Sequence, residues 1–242
     1  MVTDKESYKE PVFDQKKYSS WLEERAAAVK TMDKSLFITI SREFGCDAYP
    51  TSEILCQLLN ANRKGKWLIF SHPILSKLVE DEKLGAPIMR NISEKRYTFV
   101  NWFLDGLVPE YLQSPQSQAF ERMRTSILNL AEKGNCIIVG SGAQILTREL
   151  DPAKFLGIHV RLVGTFPARV MSVMQKFNMN RGDAEKFIEK KQYARDNFVE
   201  DFTGRSVTDP TLYHLTINND LCNKDVIAKT IYSFLEIKGA FD

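Results

Sequence analysis

The chain of 242 residues lacks the features that mark several classes of protein. Its four cysteines lie far apart and form no Cys-x-x-Cys pair, which argues against a zinc site and against a disulfide framework. No apolar run approaches the roughly 20 residues that a membrane-spanning helix needs. The formal net charge is only +2, so the composition gives no reason to expect a nucleic-acid or membrane partner. These absences, and an amino-terminal segment without the apolar stretch of a signal peptide, predict a protein of the reducing cytoplasm.

The phosphate-binding string G-x-x-x-x-G-K-[ST] is also missing, but one stretch has the outline of a phosphate loop. An apolar run over residues 36–40 predicts a buried strand, and an apolar stripe that begins at Ile54 predicts a helix. The polar loop 41–50 between them would direct backbone N–H groups and the positive end of the helix dipole at one spot, which suits a phosphate group. An ordinary strand-to-helix turn of an α/β protein is the competing interpretation. The candidate cofactor-binding residues of this stretch are Ser41, Gly45, Cys46, Tyr49, Thr51 and Ser52.

Further strands are predicted by short apolar segments at residues 66–70, 136–139, 155–163 and 213–217. Strands that alternate with helices and form no hairpins predict a mainly parallel sheet, covered by helices on both faces. In such a sheet, ligands bind at the carboxyl ends of the strands. Two loops at that edge, 71–73 and 140–143, are candidates for ligand binding. Their structural alternatives are a histidine that caps a helix in the first loop and a sharp turn through glycines in the second. The candidate substrate-binding residues in these loops are Ser71, His72, Gly140, Ser141 and Gly142.

The first 34 residues stand apart from this pattern. Residues 1–16 have no periodicity and are interpreted as an irregular arm, whereas residues 17–30 predict an amphipathic helix. The helix would pack against the edge of the main domain or against a second subunit, so a homodimer through it is one alternative. The chain is therefore divided into an arm and helix, 1–34, and an α/β domain, 35–238. The apolar residues on one face of the helix are Tyr18, Trp21, Leu22, Ala26 and Val29.

Taken in order, four stretches of the sequence resemble the cytidylate kinase-like family, which comprises bacterial relatives of cytidylate kinase. They are ITISREFGCDAYPTSEIL, IIVGSGAQIL, RVMSVMQKFNMNRGDAEKFIEKKQYARDNFVEDF and DPTLYHLTINND. The resemblance covers residues 36–235, and the SREFG opening and the DP-x-x-YHL-x-x-NND close are its most specific parts. It implies a P-loop NTPase-like, three-layer α/β/α fold with a mainly parallel five-stranded sheet, a helical acceptor region and a cationic lid.

By this resemblance, the protein would transfer the γ-phosphoryl group of ATP, with Mg²⁺, to a nucleoside monophosphate or a related small acceptor. CMP and dCMP are the acceptors of the parent enzymes. No metal ligand is assigned, although Glu43 and Asp47 are candidates on position. The residues that match the phosphate-binding cations of the family are Arg42, Arg169, Lys191, Arg195 and Arg205.

The sequence departs from the family pattern at several of its cationic or acidic positions. No lysine stands directly before Thr51, where the phosphate loop of the parent enzymes carries one. Ser71 stands where relatives often carry Asp, Ser141 replaces an acceptor-binding Arg, and Ser172 replaces a second Arg on the helix of Arg169. Loss of such a group from a closed site can remove much of the transition-state stabilisation. Two hypotheses stay open. One is a kinase in which other cations replace the missing lysine, and the other is a protein that binds a nucleotide or a protein partner without phosphoryl transfer.

Overall fold

A computed structural model describes residues 11–28, 34–63, 65–80, 115–140 and 142–241. Within these residues the strands form a single sheet in which every pair is parallel, in the order β2-β3-β1-β4-β5. The five strands are β1 (Ser35–Arg42), β2 (Leu68–Ser71), β3 (Cys136–Val139), β4 (Phe155–Val163) and β5 (Leu215–Asn218). The α/β class and the five-stranded parallel sheet predicted from the sequence are thus confirmed, with β1 at the centre.

Helices follow or precede each strand of the described chain. The α-helices are α1 (Gln15–Ala28), α2 (Ala48–Asn62), α3 (His72–Glu80), α4 (Pro115–Lys133), α5 (Ala143–Leu146), α6 (Phe166–Phe177), α7 (Arg181–Thr203) and α8 (Lys224–Ile237). The described residues also include 3₁₀ turns at Thr147–Glu149 and Pro210–Leu212. Most of the expected acceptor region, residues 81–114, lies outside the described residues.

The sheet lies between two layers of helices because alternate residues of each strand point to opposite faces. On one face, Phe37 and Phe70 belong to an apolar core that includes residues of α1, α3 and α4. On the other face, Ile38 and Val160 belong to a second core with residues of α2 and α8. Strands that are buried on both faces carry continuous apolar runs, which is the pattern visible in the sequence. The arrangement is the three-layer α/β/α architecture.

Helix α1 packs on the main core of its own chain. Trp21 is fully buried, and its Nε1 donates a hydrogen bond of 2.9 Å to the carbonyl of Lys66. The Tyr18 hydroxyl donates to the carbonyl of Ile69 at 2.9 Å. Packing against the domain edge, the first alternative for this helix, is therefore confirmed, and the buried face gives no support to a homodimer through α1.

The details of the amino-terminal prediction need correction. The helix covers Gln15–Ala28, and Ala26 is exposed although the sequence places it on the inner face. Arg25 is buried instead, because its Nε donates to the carbonyl of Lys133 at 2.7 Å. Val29 lies outside the described residues, and the division of the chain at residue 34 stays a prediction.

Helices α6 and α7 form a hairpin that carries the predicted lid. Val173 of α6 and Ile188 of α7 are buried in a small apolar cluster between the two helices. Asn180 caps α7, since its Oδ1 accepts the N–H of Asp183 at 3.0 Å.

None of the described helices has the length and apolar character needed to cross a membrane. The cytoplasmic location stays a prediction.

Candidate functional site

The loop after β1 lies at the carboxyl edge of the sheet and rests against the first turn of α6. Gly45 has a φ of +106°, and a Cβ built on it would lie 2.8 Å from the Cβ of Arg169. Only glycine permits both this backbone conformation and this close approach. Arg169 donates from Nε to the carbonyl of Gly164 at 3.1 Å and from Nη1 to the carbonyl of Phe44 at 3.3 Å. Its guanidinium group therefore holds the backbone of the loop in place.

Two backbone N–H groups of the loop donate to side chains of the chain itself. The N–H of Phe44 donates to Oε1 of Gln192 at 2.6 Å, and the N–H of Asp47 donates to Oδ1 of Asn219 at 2.6 Å. The Asp47 carboxylate, at the cap position of α2, contacts the Nζ of Lys176. The loop thus already holds two neutral acceptors and one carboxylate where the sequence predicts a phosphate.

Helix α2 begins earlier than predicted. It starts at Ala48, so Thr51 and Ser52 lie within its first two turns instead of at the mouth of the loop. Ser52 donates from Oγ to the carbonyl of Ala48 at 2.7 Å, a bond within the helix. The assignment of Pro50 to the loop is wrong, because a proline fits the first turn of a helix, where its missing N–H has no helical partner.

Arg42, Arg195 and His72 share one corner of the site, near the ends of β1 and β2. The pKa of His72 is lowered by partial burial and by the positive charges of both arginines. The guanidinium carbon of Arg195 lies 5.3 Å from the ring centroid of Phe44 in the loop. Burial lowers the pKa of Arg195, and its buried Nη1 has no hydrogen-bond partner among the described residues. An anionic ligand would satisfy such a nitrogen.

Buried hydroxyl groups surround the same edge of the sheet. The Oγ of Ser41 in β1, the Oγ1 of Thr51 in α2 and the Oγ of Ser71 at the end of β2 have no hydrogen-bond partner within the described chain. These three residues are 1%, 0% and 5% exposed, so bulk water does not solvate them. A buried polar atom without a partner costs about 1–3 kcal/mol. The three hydroxyls therefore indicate a place for a polar ligand or for ordered water.

The remaining lid cations lie at the surface. Lys191 is exposed, with its Nζ 5.5 Å from the ring centroid of Phe187, and Arg205 is exposed just after the end of α7. Neither residue contacts the loop after β1 through an ion pair or a hydrogen bond of the described structure. Their predicted role requires a movement of α7 and its exit toward the loop.

The glycine-rich turn after β3 adjoins α7. Gly142 has a φ of +94°, and a Cβ built there would lie 3.2 Å from a methyl group of Val199. A sharp strand-to-helix turn is therefore one function of this glycine. Among the described residues, no atom lies within 4 Å of a Cβ built on Gly140. Ser141, the third predicted residue of this turn, lies outside the described residues.

Cys46 and Tyr49 have roles in packing. Burial is the main cause that raises the pKa of the Cys46 thiol to about 12, so the group is a neutral thiol at pH 7. Tyr49 is partly buried and contacts both apolar cores. Their predicted contact with a cofactor stays a prediction.

The two carboxylates proposed for Mg²⁺ are engaged by the protein. Glu43 accepts the N–H of Gly164 at 2.9 Å and lies 3.5 Å from Nε of Arg169, while Asp47 contacts Lys176. Among the described residues no group of three or more His, Cys, Asp or Glu side chains could hold a metal ion. These carboxylates fit Mg²⁺ only if the present contacts are exchanged.

Sequence reasoning missed the side chains that reach the loop from distant parts of the chain, which are Lys176, Gln192 and Asn219. They lie 129 to 172 residues after their partners in the loop. For Asn219 a signal was present, since it follows β5 and polar residues after a parallel strand lie at the ligand-binding edge. For Lys176 and Gln192 the spacing along the helix does not tell which face meets the loop.

Comparisons with known proteins identify the family. The model of the cytidylate kinase-like family matches residues 37–221, a span that includes every predicted site residue. An uncharacterised protein from Eubacterium ventriosum ATCC 27560 has a similar structure, with a TM-score of 0.60 and 18% identity, over 84% of this chain and 99% of that one. A dephospho-CoA kinase from Campylobacter jejuni aligns with a TM-score of only 0.32 and 12% identity, over 85% and 98% of the two chains. No curated protein matched the sequence. The family match extends over about three quarters of the chain, which therefore belongs to the cytidylate kinase-like family.

Proposed function

We propose that the protein is a phosphotransferase that binds ATP at the loop after β1 and transfers its γ-phosphoryl group to a nucleoside monophosphate or a related small acceptor. The observation that carries the proposal is the buried Nη1 of Arg195, which has no hydrogen-bond partner in the described part of the chain. The Arg195 guanidinium group lies over Phe44 of the loop and, like Arg42, is close enough to His72 to lower its pKa. Membership of the cytidylate kinase-like family supports a nucleotide substrate in general. The buried hydroxyls of Ser41, Thr51 and Ser71, which have no partner within the described ranges, support a polar ligand at this edge of the sheet.

In the proposed reaction, Arg42 and Arg195 bind and neutralise the triphosphate. A guanidinium group can hold two phosphate oxygens at once through its fork of N–H groups. Lys191 and Arg205 approach when α7 closes, and Arg169 keeps the loop in position. Mg²⁺ supplied with ATP would add further neutralisation of the phosphate charge, with Glu43 as its candidate ligand, since Asp47 is paired with Lys176. Phosphoryl transfer depends mainly on such positioning and neutralisation, so the chemistry does not demand a lysine in the loop itself.

The acceptor is proposed to bind beyond the ends of β2 and β3, which are neighbours in the sheet. Ser71 and His72 stand at the end of β2, and Gly140, Ser141 and Gly142 follow β3. The pKa of His72 is lowered by partial burial and by two arginines, so its imidazole is neutral at pH 7. A neutral imidazole can accept a hydrogen bond from a hydroxyl or amino group of the acceptor.

A second candidate function is nucleotide or protein binding without phosphoryl transfer. It is favoured by the contacts that fill the loop, where Gln192 and Asn219 accept N–H groups and Asp47 places a carboxylate beside the helix. A triphosphate must displace or rearrange these groups before it can bind. If a triphosphate does not displace these groups, the protein retains the fold but cannot bind ATP at the loop.

The test is transfer of labelled phosphate from ATP·Mg²⁺ to a panel of nucleoside monophosphates and nucleosides, with the products separated. Arg195→Ala should abolish transfer, because it removes the cation that faces the loop. Arg181→Ala is the matched control, since Arg181 lies on the same helix with its side chain 72% exposed and pairs with Glu185 one turn further along that helix. Transfer by the control but not by Arg195→Ala would support the kinase. No transfer together with a rise in melting temperature on adding ATP would favour the second candidate. The absence of both effects would refute ATP binding.

A further inference from the structure

We propose that Lys176 is a further phosphate-binding cation of the loop after β1, in addition to Arg42 and Arg195, and that Asp47 forms an ion pair with it until a polyphosphate replaces the carboxylate. The inference rests on the proposed function, in which a triphosphate binds at this loop. No lysine occurs between Ser41 and Leu59, so neither the loop nor the following helix turns supply one. Lys176 lies near the end of α6 and brings its Nζ into contact with the side chain of Asp47.

The position of Asp47 makes this contact relevant to a phosphate. Asp47 is the residue immediately before α2, where the helix dipole favours a negative charge. Its side chain does not cap the helix, and its own N–H is satisfied by Asn219 at 2.6 Å. Lys176 is therefore the partner of a carboxylate that lies where a phosphate would be stabilised. The carboxylate and the phosphate are alternative anions for the same cation.

Two buried hydroxyls in the elements that flank the loop are independent signs of a polar ligand at this edge of the sheet. Ser41 is the second-last residue of the strand that leads into the loop, and Thr51 lies in the helix that leads out of it. They are 1% and 0% exposed, and both hydroxyl oxygens lack a hydrogen-bond partner in the described chain. In a protein that needs no ligand, buried polar atoms without a hydrogen-bond partner are rare, so two of them in neighbouring elements indicate a missing ligand or water. The ion pair, in contrast, is accessible, with side-chain exposures of 24% for Lys176 and 38% for Asp47.

The accessibility of the pair makes an exchange of partners feasible. A half-exposed ion pair contributes little to stability, because water screens it and because a long side chain must be ordered. A polyphosphate carries several negative charges and attracts Lys176 more strongly than one carboxylate does. After the exchange, Lys176 would neutralise the phosphate and the Asp47 carboxylate would turn toward solvent.

The competing explanation is that Lys176 only neutralises Asp47 and so fastens α6 to the loop. The two explanations differ in what Lys176 does when Asp47 carries no charge. If it binds phosphate, its removal weakens binding in the Asp47→Asn background as well. If it only compensates Asp47, its removal has no effect in that background. A double-mutant cycle separates the two cases.

The experiment is calorimetric binding of ATP·Mg²⁺ and of tripolyphosphate, which lacks a base and a ribose, to the full-length protein. We expect Asp47→Asn to tighten binding of both ligands about tenfold, because a like charge is removed beside the phosphates. Lys176→Met should weaken binding about tenfold in the Asp47→Asn background, and Lys176→Arg should retain it. Lys229→Met, at an exposed lysine of α8, is the control and should change neither affinity.

The outcomes distinguish failure of this inference from failure of the proposed function. If the wild-type protein binds ATP·Mg²⁺ but the double variant binds as tightly as Asp47→Asn, Lys176 does not contact phosphate and the inference is overturned. If neither the wild type nor any variant binds either ligand at millimolar concentration, the inference and the proposed ATP site fall together. Weaker binding of ATP·Mg²⁺ with unchanged binding of tripolyphosphate would also overturn it, because Lys176 would then act on the base or ribose.

Discussion

Replacement of Gly45 by alanine should destabilise the protein by displacing the loop after β1 from helix α6. The new Cβ would lie 2.8 Å from the Cβ of Arg169 and 3.0 Å from its Cα and carbonyl oxygen, so backbone atoms must move. The φ of +106° adds a conformational cost of about 1–3 kcal/mol for a residue with a side chain. Forced repacking at a close contact costs about 1–3 kcal/mol more. The expected loss is about 2–6 kcal/mol, a large part of the stability of a typical domain.

Urea denaturation of three alanine variants separates these two costs. Gly204 has a φ of +64°, but no atom of the described residues lies within 4 Å of a built Cβ, so Gly204→Ala should destabilise the protein by only about 1–2 kcal/mol through backbone strain. Gly182 lies in α7 with its nearest neighbour at 3.6 Å, so Gly182→Ala should be neutral or stabilising by up to about 1 kcal/mol. Only Gly45→Ala combines strain and contact, and it should be the least stable of the three.

A loss for Gly45→Ala no larger than that for Gly204→Ala would refute the close packing of the loop on α6. The same variant informs on function when it is studied below its melting temperature. A displaced loop should no longer give a thermal shift with ATP·Mg²⁺, whereas Gly182→Ala should respond like the wild type. An unchanged response of Gly45→Ala would mean that the nucleotide binds elsewhere.

Two further predictions concern the core and the lid. His159 is half-buried beside Thr39, and burial is the main cause that lowers its pKa to about 3, below the usual 6.5. The unfolded chain binds a proton at His159 below pH 6.5, whereas the folded protein does not until about pH 3. The free energy of unfolding should therefore be constant above pH 6.5 and should fall by up to about 1.4 kcal/mol per pH unit below it. Urea midpoints at pH 7.5 and 5.0 measure this pH dependence, and His159→Gln should reduce it. An equal pH dependence in the wild type and in His159→Gln would contradict the prediction. Gln192→Leu removes the acceptor of the Phe44 N–H, so stability should fall by about 1 kcal/mol while titration with ATP·Mg²⁺ shows tighter binding. Unchanged affinity would mean that this N–H does not face the phosphate.

The fold could be predicted from the sequence because its signals are local and strong. The continuous apolar runs of the strands are the mark of a parallel sheet buried on both faces, and the helical patterns between them exclude hairpins. Element boundaries were less certain, as the start of α2 shows. Pro50 is typical both of a loop and of the first turn of a helix, and only the backbone distinguishes the two.

The site could be predicted only in part. The edge of the sheet follows from the order of strands and helices, and Arg42 and Ser41 lie there because β1 ends there. The contacts of Lys176 and Gln192 with the loop depend on how the α6–α7 hairpin packs, and no local pattern encodes that packing. Nor does spacing tell that Arg169, a predicted catalytic residue, donates to two carbonyls of the protein in this structure.

Helix α1 has a consequence for how the protein should be produced and kept in solution. Strand β2 lies at one end of the sheet, and an edge strand with free carbonyl groups is a template for pairing with another chain. The Tyr18 hydroxyl binds the carbonyl of Ile69 in this strand, and Trp21 covers Phe70 with the ring centroids 5.0 Å apart. A shortened chain that begins at residue 34, just before β1, would keep every strand but lose the helix that covers β2, and it should aggregate. The helix that lies outside the family match thus protects the edge of the sheet against self-association.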